Sequence, residues 1–243
     1  MSERRILLKL SGELLCGPGG FGVEPDATWE LAQRIRKGLE SSQTEVALVI
    51  GGGNFLRGAK LSKASSADGE RVIDRVTGDH MGMLATIMNA LGLRAALEKA
   101  GVEARVLSAL AVPEVVEPFE RRRALEHLAR GRLLIFAGGT GHPYFTTDTT
   151  ASLRALQIGA TQLAKGTKVR GIFSDDPVKN PAAEFFPSLS YRDVLERRLE
   201  VMDAAAISLC MENGLAVQVF DMWKEGNLER VLAGEVVGTI VRS

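Results

Sequence analysis

The feature that most constrains the fold is the alternation of short apolar segments with longer amphipathic ones along the chain. EVALVI (45–50) is a nearly continuous apolar run, which is typical of a strand covered by helices on both faces of a parallel sheet. The segment 25–42, PDATWELAQRIRKGLESS, has apolar residues at helical spacing, and Asp26 is its expected N-cap. Strands that alternate with helices predict an α/β fold, here a three-layer αβα sandwich with a mainly parallel central sheet of about eight strands.

Length and composition indicate one domain spanning residues 1–243. The 30 basic and 30 acidic residues cancel, which argues against a nucleic-acid partner. The longest uncharged apolar run, 81–93, is too short to span a bilayer and no signal-peptide pattern is visible, so no membrane partner is expected. Two isolated cysteines, Cys16 and Cys210, form no disulfide framework and favour a cytoplasmic location.

The loops after the strands carry the functional prediction, because ligands of open α/β sheets bind beyond the carboxyl ends of the strands. The first such loop contains Lys9, Ser11 and Gly12, directly after the strand RRILLKL. A lysine there can reach over a glycine turn whose N–H groups cradle phosphate oxygens. The alternative, a strand lysine that extends only to solvent, is equally compatible with this segment.

The segment GPGGFG (17–22) formally matches the dinucleotide fingerprint G-x-G-x-x-G. Pro18 and Pro25 interrupt it, the helix is expected only near Asp26, and no acidic residue ends the next strand. We therefore reject a nicotinamide site and interpret 17–22 as a flexible glycine loop.

The segment VIGGGNFLRG (49–58) takes a buried strand into three consecutive glycines. Glycine allows the backbone to approach a ligand closely, and a helix start just beyond would bind anions. Arg57 could then contact a phosphate through two hydrogen bonds. The alternative is a tight turn that needs glycine for its conformation alone.

The segment GGTGHPYFTTDTT (138–150) is unusually rich in groups that bind ligands. Its threonine hydroxyls both donate and accept hydrogen bonds, and Tyr144 and Phe145 can stack on a flat ring, so the segment suits a nucleobase with a phosphate. Asp79, Asp148 and Asp203 each precede a helical pattern and are either N-caps or, for Asp79, a group that holds sugar hydroxyls. His80, His127 and His142 lack metal-ligand spacing, and no Ser-His-Asp order is present. Phosphate cradles without a covalent nucleophile favour phosphoryl transfer.

Seven segments together resemble the amino-acid-kinase superfamily and, within it, the bacterial uridylate (UMP) kinases. They are RILLKLSGE, VIGGGNFLRG, GDHMGMLATIMNAL, GTGHPYFTTDT, KGTKV, DDPVKNP and VMDAAA, in the order of the family. The resemblance implies phosphoryl transfer from ATP with Mg²⁺ to UMP, giving UDP, in a homohexamer that UTP inhibits and GTP often activates. It also implies an effector role for the loop Gly17, Pro18, Gly19, Gly20, Phe21 and Gly22.

The resemblance also implies site residues. Lys9, Arg57 and Asp203 would be catalytic, with Asp203 orienting Lys9. The ATP site would comprise Lys9, Leu10, Ser11, Gly12, Gly53, Arg57, Thr167, Phe173 and Asp176. The UMP site would comprise Gly52, Asp79, Thr140, Gly141, His142, Pro143, Tyr144, Phe145, Thr146 and Thr147. No metal-ligating side chains are expected.

Three departures from the family pattern stand out. Arg170 replaces a usual aspartate beside the expected adenosine loop, which puts ATP affinity in question. His142 replaces a usual asparagine, which would make UMP binding depend on pH. The segment 59–75 is longer than usual, which would alter a lid or a subunit contact. Two alternatives stay open: a kinase of the same superfamily that acts on a small carboxylate or carbamate, and a non-catalytic nucleotide-binding storage or regulatory protein.

Overall fold

A nine-stranded sheet organises the part of the chain that the computed structural model describes, residues 4–40, 42, 44–56, 73–199 and 201–243. The strands are β1 Arg5–Leu10, β2 Glu45–Ile50, β3 Ala104–Ser108, β4 Glu117–Pro118, β5 Leu133–Ala137, β6 Gln162–Thr167, β7 Ile172–Phe173, β8 Phe185–Phe186, β9 Ser188–Ser190, β10 Ala216–Asp221 and β11 Thr239–Arg242. Their order is β4-β3-β5-β2-β1-β6-β10-β11-β9, while β7 and β8 form a separate antiparallel pair. Within the large sheet only β10 and β11 pair antiparallel.

Seven helices cover the two faces of the sheet in the described part of the chain. They are α1 Pro25–Glu40, α2 Arg75–Lys99, α3 Arg121–Ala129, α4 Thr147–Ile158, α5 Tyr191–Glu196, α6 Ala204–Glu212 and α7 Asn227–Ala233, and a 3₁₀ turn spans Gly12–Leu15. Strand side chains alternate between two cores: Ile6, Leu8 and Leu10 pack with α1, α2 and α7, whereas Leu7 packs with α3 to α6. The predicted three-layer αβα sandwich with a mainly parallel sheet is therefore confirmed.

The large sheet has one strand more than the sequence predicts. The short strands β4 and β9 have two and three residues, so they present no continuous apolar run that a sequence pattern could reveal. No helix among the described residues is long and apolar enough to cross a membrane.

Three predicted helix N-caps are wrong, and the helices begin two to five residues earlier than those caps imply. Helix α1 begins at Pro25, and the Glu24 carboxylate, not Asp26, accepts the hydrogen bond from the Ala27 N–H at 2.6 Å. Proline fits the first helical position because its missing N–H would have no partner there. Helix α2 begins a turn earlier than Asp79, because Asp74 caps it by accepting from the Thr77 N–H at 2.9 Å.

The third correction concerns Asp148, which does not cap α4. The Thr146 hydroxyl caps α4 by accepting from the N–H groups of Asp148 and Thr149 at 3.0 and 3.3 Å. The Asp148 carboxylate is thereby left for another role. The predicted cap Asp203 is confirmed at the start of α6. Ser190 and Asp193 form a capping box at the start of α5.

Candidate active site

The carboxyl ends of three central strands bring two lysines side by side. Lys9 of β1 is in register with Lys165 of β6, and β2 lies on the other side of β1. Because all three strands are parallel, the loops that follow β1 and β2 leave from the same edge of the sheet. The structure thus places the predicted Lys9 loop and the triple-glycine loop next to each other, with the Gly51 N–H donating to the Leu10 carbonyl at 2.9 Å.

Close packing between these two loops explains one glycine. A Cβ on Gly12 would lie 2.3 Å from the Gly51 carbonyl oxygen and 2.4 Å from Asn54 Oδ1. The amides of Asn54 and Asn89 exchange hydrogen bonds of 2.7 and 2.9 Å, and Asn89 also donates to the Gly51 carbonyl at 2.6 Å. Sequence reasoning missed both asparagines, whose amides fix the two loops to α2. In the sequence, the only indication of a role for these asparagines is that each is a polar residue beside apolar ones.

A buried carboxylate joins the two lysines. Asp148 Oδ1 lies 2.9 Å from Lys9 Nζ, and Asp148 Oδ2 lies 2.7 Å from Lys165 Nζ. Lys165 Nζ also donates to the Val201 carbonyl at 2.5 Å. The expectation that Asp203 orients Lys9 is therefore wrong, since the ion pair with Lys9 belongs to Asp148. Lys165 was missed, although its position at the end of the strand next to β1 could have identified it.

The electrostatics of this cluster follow from burial and mutual attraction. Burial by itself raises the pKa of Asp148, yet the charges of Lys9 and Lys165 outweigh it and hold the pKa of Asp148 below its usual value. Burial lowers the pKa of Lys165, and Lys9 adds to this, while Asp148 and Asp203 oppose it. Two cations held at a strand end by one carboxylate can neutralise the charge of a phosphoryl group.

Asp203 instead binds the start of α4. Its carboxylate accepts from the Thr149 hydroxyl at 2.9 and 3.0 Å and from the Thr146 hydroxyl, while it also caps α6 through the Ala206 N–H at 2.9 Å. It therefore fixes the threonine-rich segment beside the lysine cluster.

A first cleft, of about 130 Å³, lies between the triple-glycine loop, α2 and the threonine-rich segment. Of the residues predicted to bind UMP, it is lined by Gly52, Asp79, His142, Phe145, Thr146 and Thr147, and Gly53 from the predicted ATP set also lines it. Thr140, Gly141, Pro143 and Tyr144 belong to the same loop but do not line this cavity.

Asp79 fixes the conformation of that loop. It pairs with Arg75 at 2.7 Å and accepts from the Tyr144 N–H at 2.7 Å. Tyr144 has a φ of 71°, in the left-handed region, so this hydrogen bond stabilises an unfavourable backbone conformation. The side chains of Tyr144 and Phe145 remain exposed, which leaves their rings available for stacking.

A second cleft, of about 530 Å³, lies on the other side of the lysine cluster. The predicted ATP residues Thr167, Phe173 and Asp176 line it together with Lys165. A smaller cavity of about 200 Å³, lined by Lys9, Ser11, Lys165 and Thr167, continues it toward the loop after β1. Thr147 of the first cleft directly precedes Asp148, while Lys9 and Lys165 line the second cleft or its extension, so the lysine cluster adjoins both clefts.

Other predicted elements lie apart from this junction. Gly17, Pro18 and Gly20 of the predicted effector loop line a separate cavity of about 680 Å³ beside α1. Arg170 packs over the Phe185 ring at 4.1 Å and lines a cavity with Lys224 and Arg230, while its neighbours Val169 and Gly171 line the second cleft. Arg57 and residues 59–72 of the long segment lie outside the described residues.

Comparisons with known proteins all indicate the same family. Residues 4–221 match the amino acid kinase family. The chain is 50% identical to a uridylate kinase of Deinococcus radiodurans over 99% of this chain and 95% of the relative. It is 51% identical to a uridylate kinase of Legionella pneumophila strain Paris over 99% of this chain and 94% of the relative.

Solved structures give the same result. The crystal structure of UMP kinase from Bacillus anthracis matches with a TM-score of 0.90 at 35% identity, covering 98% of this chain and 96% of that one. UMP kinase from Ureaplasma parvum matches with a TM-score of 0.89 at 34% identity, covering 100% of both chains. The chain therefore belongs to the amino acid kinase family and, within it, to the uridylate kinases.

Proposed function

We propose that this protein transfers the γ-phosphate of ATP directly to UMP, giving UDP and ADP. The observation that carries the proposal is the pair of lysines held by one largely enclosed aspartate, which follows Thr147 of the smaller cleft and adjoins the larger one. The relatives are named uridylate or UMP kinases, and the activity in that name agrees with this arrangement.

The chemistry needs positioning and charge neutralisation rather than a general base. The phosphate of UMP is already largely ionised at pH 7, since its second pKa is about 6. ATP would lie in the larger cleft with its phosphates over Ser11 and Gly12, and UMP would lie in the smaller one. Lys9 and Lys165 would neutralise the moving phosphoryl group, while Asp148 holds both in place.

The two glycines of the acceptor cleft differ in their steric surroundings. A Cβ on Gly52 would lie 2.7 Å from the Gly82 carbonyl, so glycine is needed there for packing against α2. A Cβ on Gly53 would meet nothing within 4 Å, so this residue leaves open space at the junction. That space suits a phosphate that approaches the backbone closely.

Mg²⁺ would enter with the phosphates of ATP. Within the described ranges, no group of three His, Cys, Asp or Glu side chains could hold a metal ion. Mg²⁺ is often bound through substrate phosphates, waters and one or two carboxylates, so it does not require such a group of side chains. When bound, the ion would reduce the negative charge on the phosphate oxygens.

Several family features remain predictions. Regulation by UTP and GTP and a homohexamer are proposed from the resemblance alone, whereas Arg57 as a phosphate ligand and a cytoplasmic location also rest on the sequence patterns described above. We also propose that residues 1–243 form one domain, since β1 and β11, from the two ends of the chain, belong to the same sheet.

A panel of acceptors tests the proposed function. We expect ATP- and Mg²⁺-dependent release of ADP with UMP as acceptor, and a much lower kcat/KM with AMP. A coupled assay of ADP release would measure both. The other acceptors in the panel are CMP, acetylglutamate, aspartate and carbamate. Wild type without acceptor and the Lys9→Ala variant give the background. Phosphorylation of a carboxylate or carbamate but not of UMP, or ATP and UMP binding without turnover, would favour one of the two alternatives.

Replacing Asp79 with asparagine should weaken binding of UMP in particular. The variant loses the charged acceptor for the Tyr144 N–H and for a sugar hydroxyl. A hydrogen bond to a charged group contributes about 1.5–3 kcal/mol, so KM for UMP should rise about tenfold or more, with KM for ATP nearly unchanged. Steady-state kinetics with each nucleotide varied would measure this.

Asp74→Asn is the matched control for Asp79→Asn. Asp74 is an exposed N-cap of the same helix and lies outside the cleft, so its variant should leave both KM values near those of wild type. Equal effects of the two variants on KM for UMP would contradict the role of Asp79.

A further inference from the structure

Arg198 occupies a backbone position that normally favours glycine. Helix α5 ends in a Schellman motif, in which the Leu199 N–H donates to the Val194 carbonyl at 3.0 Å. Arg198 is the residue in the left-handed conformation of this motif, with a φ of 51°. Glycine is the usual residue there because a Cβ strains the left-handed conformation.

Positive φ at residues other than glycine coincides with the two candidate nucleotide sites. Among the described residues, only Tyr144 and Arg198 have this conformation. Tyr144 belongs to the loop beside the acceptor cleft, and Arg198 lines the larger cleft proposed for ATP. Strained backbone of this kind persists where a function depends on the side chain.

The neighbours of Arg198 show that its guanidinium is not used within α5. Arg192 lies 3.9 Å from Glu196, and Arg197 lies 3.9 Å from Asp193 and faces the Phe186 ring at 5.2 Å. The Arg198 side chain has no ion pair or hydrogen bond within the described part of the chain. Neither Arg192 nor Arg197 lines the larger cleft.

The other charges that line the larger cleft are already matched. Lys165 pairs with Asp148, Lys179 pairs with Asp176 at 3.2 Å, and Asp175 accepts from the Asn180 amide at 3.0 Å. Arg198 is thus the one cation lining this cleft that has no carboxylate partner among the described residues. Val201, whose carbonyl accepts a hydrogen bond from Lys165, lines the same cleft as Arg198.

We propose that Arg198 binds the phosphate chain of the donor nucleotide and that the strained turn is retained for this contact. The proposal rests on the proposed function for the assignment of the larger cleft to ATP. Arginine matches phosphate oxygens through paired, charge-assisted hydrogen bonds, which glycine at this position would lack. Arg198 is therefore a specificity residue for a polyphosphate donor rather than a structural end of α5.

The Arg198→Gly variant separates the contribution of Arg198 to ATP binding from the backbone strain at the turn. We expect this variant to raise the Tm of the ligand-free protein by about 2–4 °C, because the strain at the turn is removed. The Kd for Mg²⁺-ATP, measured by calorimetry without acceptor, should rise about tenfold, and the Kd for adenosine should stay unchanged. A higher salt concentration should reduce the difference between variant and wild type.

Arg197→Ala is the control, since Arg197 lies next to Arg198 outside the cleft, and its Kd for Mg²⁺-ATP should equal that of wild type. An unchanged Kd for Mg²⁺-ATP in Arg198→Gly, or an equal loss of adenosine affinity, would overturn the proposal. Because ATP binding is measured without acceptor, failure of the wild type to phosphorylate UMP would reject the proposed function and leave the result on Arg198 standing.

Discussion

Replacing Lys9 with alanine is expected to lower kcat for UMP phosphorylation by about 10³-fold. The Lys9 ammonium lines the cavity that extends the larger cleft toward the loop after β1, where we propose that negative charge moves from donor to acceptor in the transition state. A group that acts mainly on the transition state affects kcat more than KM, so both KM values should change less than tenfold. Steady-state and single-turnover rates would measure the loss.

The fold should survive this substitution. Asp148 keeps Lys165 as a partner at 2.7 Å, so no buried carboxylate is left unpaired. Lys37→Ala is the matched control, since the Lys37 side chain is 65% exposed on α1 and lines neither cleft. A Lys9→Ala variant with near-normal turnover would exclude Lys9 from the chemistry.

Asp148→Asn should be damaging in two ways, because one carboxylate holds two cations. Asparagine cannot compensate the charges of Lys9 and Lys165, whose side chains are only 14% and 16% exposed. Breaking a buried ion pair costs about 3–5 kcal/mol, so we expect a loss of about 3 kcal/mol in the free energy of unfolding. The Tm should fall by about 6–12 °C, and kcat should fall about 10²-fold because Lys9 loses its orientation.

The stability difference between wild type and Asp148→Asn should depend on pH. The two lysines hold the pKa of Asp148 below its ordinary value of 3.8, so the folded state favours the ionised form. The stabilisation is then complete above pH 3.8 and is lost as the pH falls through the lower pKa of the folded state. Urea unfolding at several pH values would show the two proteins converging in acid.

Glu40→Gln provides the comparison for Asp148→Asn. Glu40 forms an exposed pair with Arg36 at 3.2 Å, four residues apart on α1, and such pairs contribute about 0.3–0.5 kcal/mol. A loss of that small size in Asp148→Asn, or a difference from wild type that stays constant down to strongly acidic pH, would contradict the role assigned to Asp148.

The sequence predicts those parts of the fold and site that depend on local pattern. EVALVI is strand β2, and the glycines after it lie at the predicted edge of the sheet, because apolar runs and glycine turns are encoded by neighbouring residues. The ordered motifs identify the family for the same reason. Which residue caps α4 is a local choice between Thr146 and Asp148, and pattern alone does not distinguish two adjacent caps.

The ion pairs of the site depend on register and could not be read in this way. The pairing of Lys9 with Asp148 rather than Asp203 requires knowing that β1 lies between β2 and β6 and where α4 begins. The left-handed turn at Arg198 is likewise invisible in the sequence, since the residue there is not glycine. The ion pair and the left-handed turn both depend on tertiary structure.

The location of Lys9 on the central strand links catalysis to cooperative unfolding. β1 is bonded to β2 on one side and β6 on the other, and most of its side chains are buried. Amide hydrogens in such a strand exchange with solvent mainly through global opening, whereas the short edge strands β4 and β9 can fray on their own. Local fluctuations at the sheet edges therefore leave Lys9 in place, and in denaturant the protein should lose its phosphoryl-transfer activity only when the whole sheet opens.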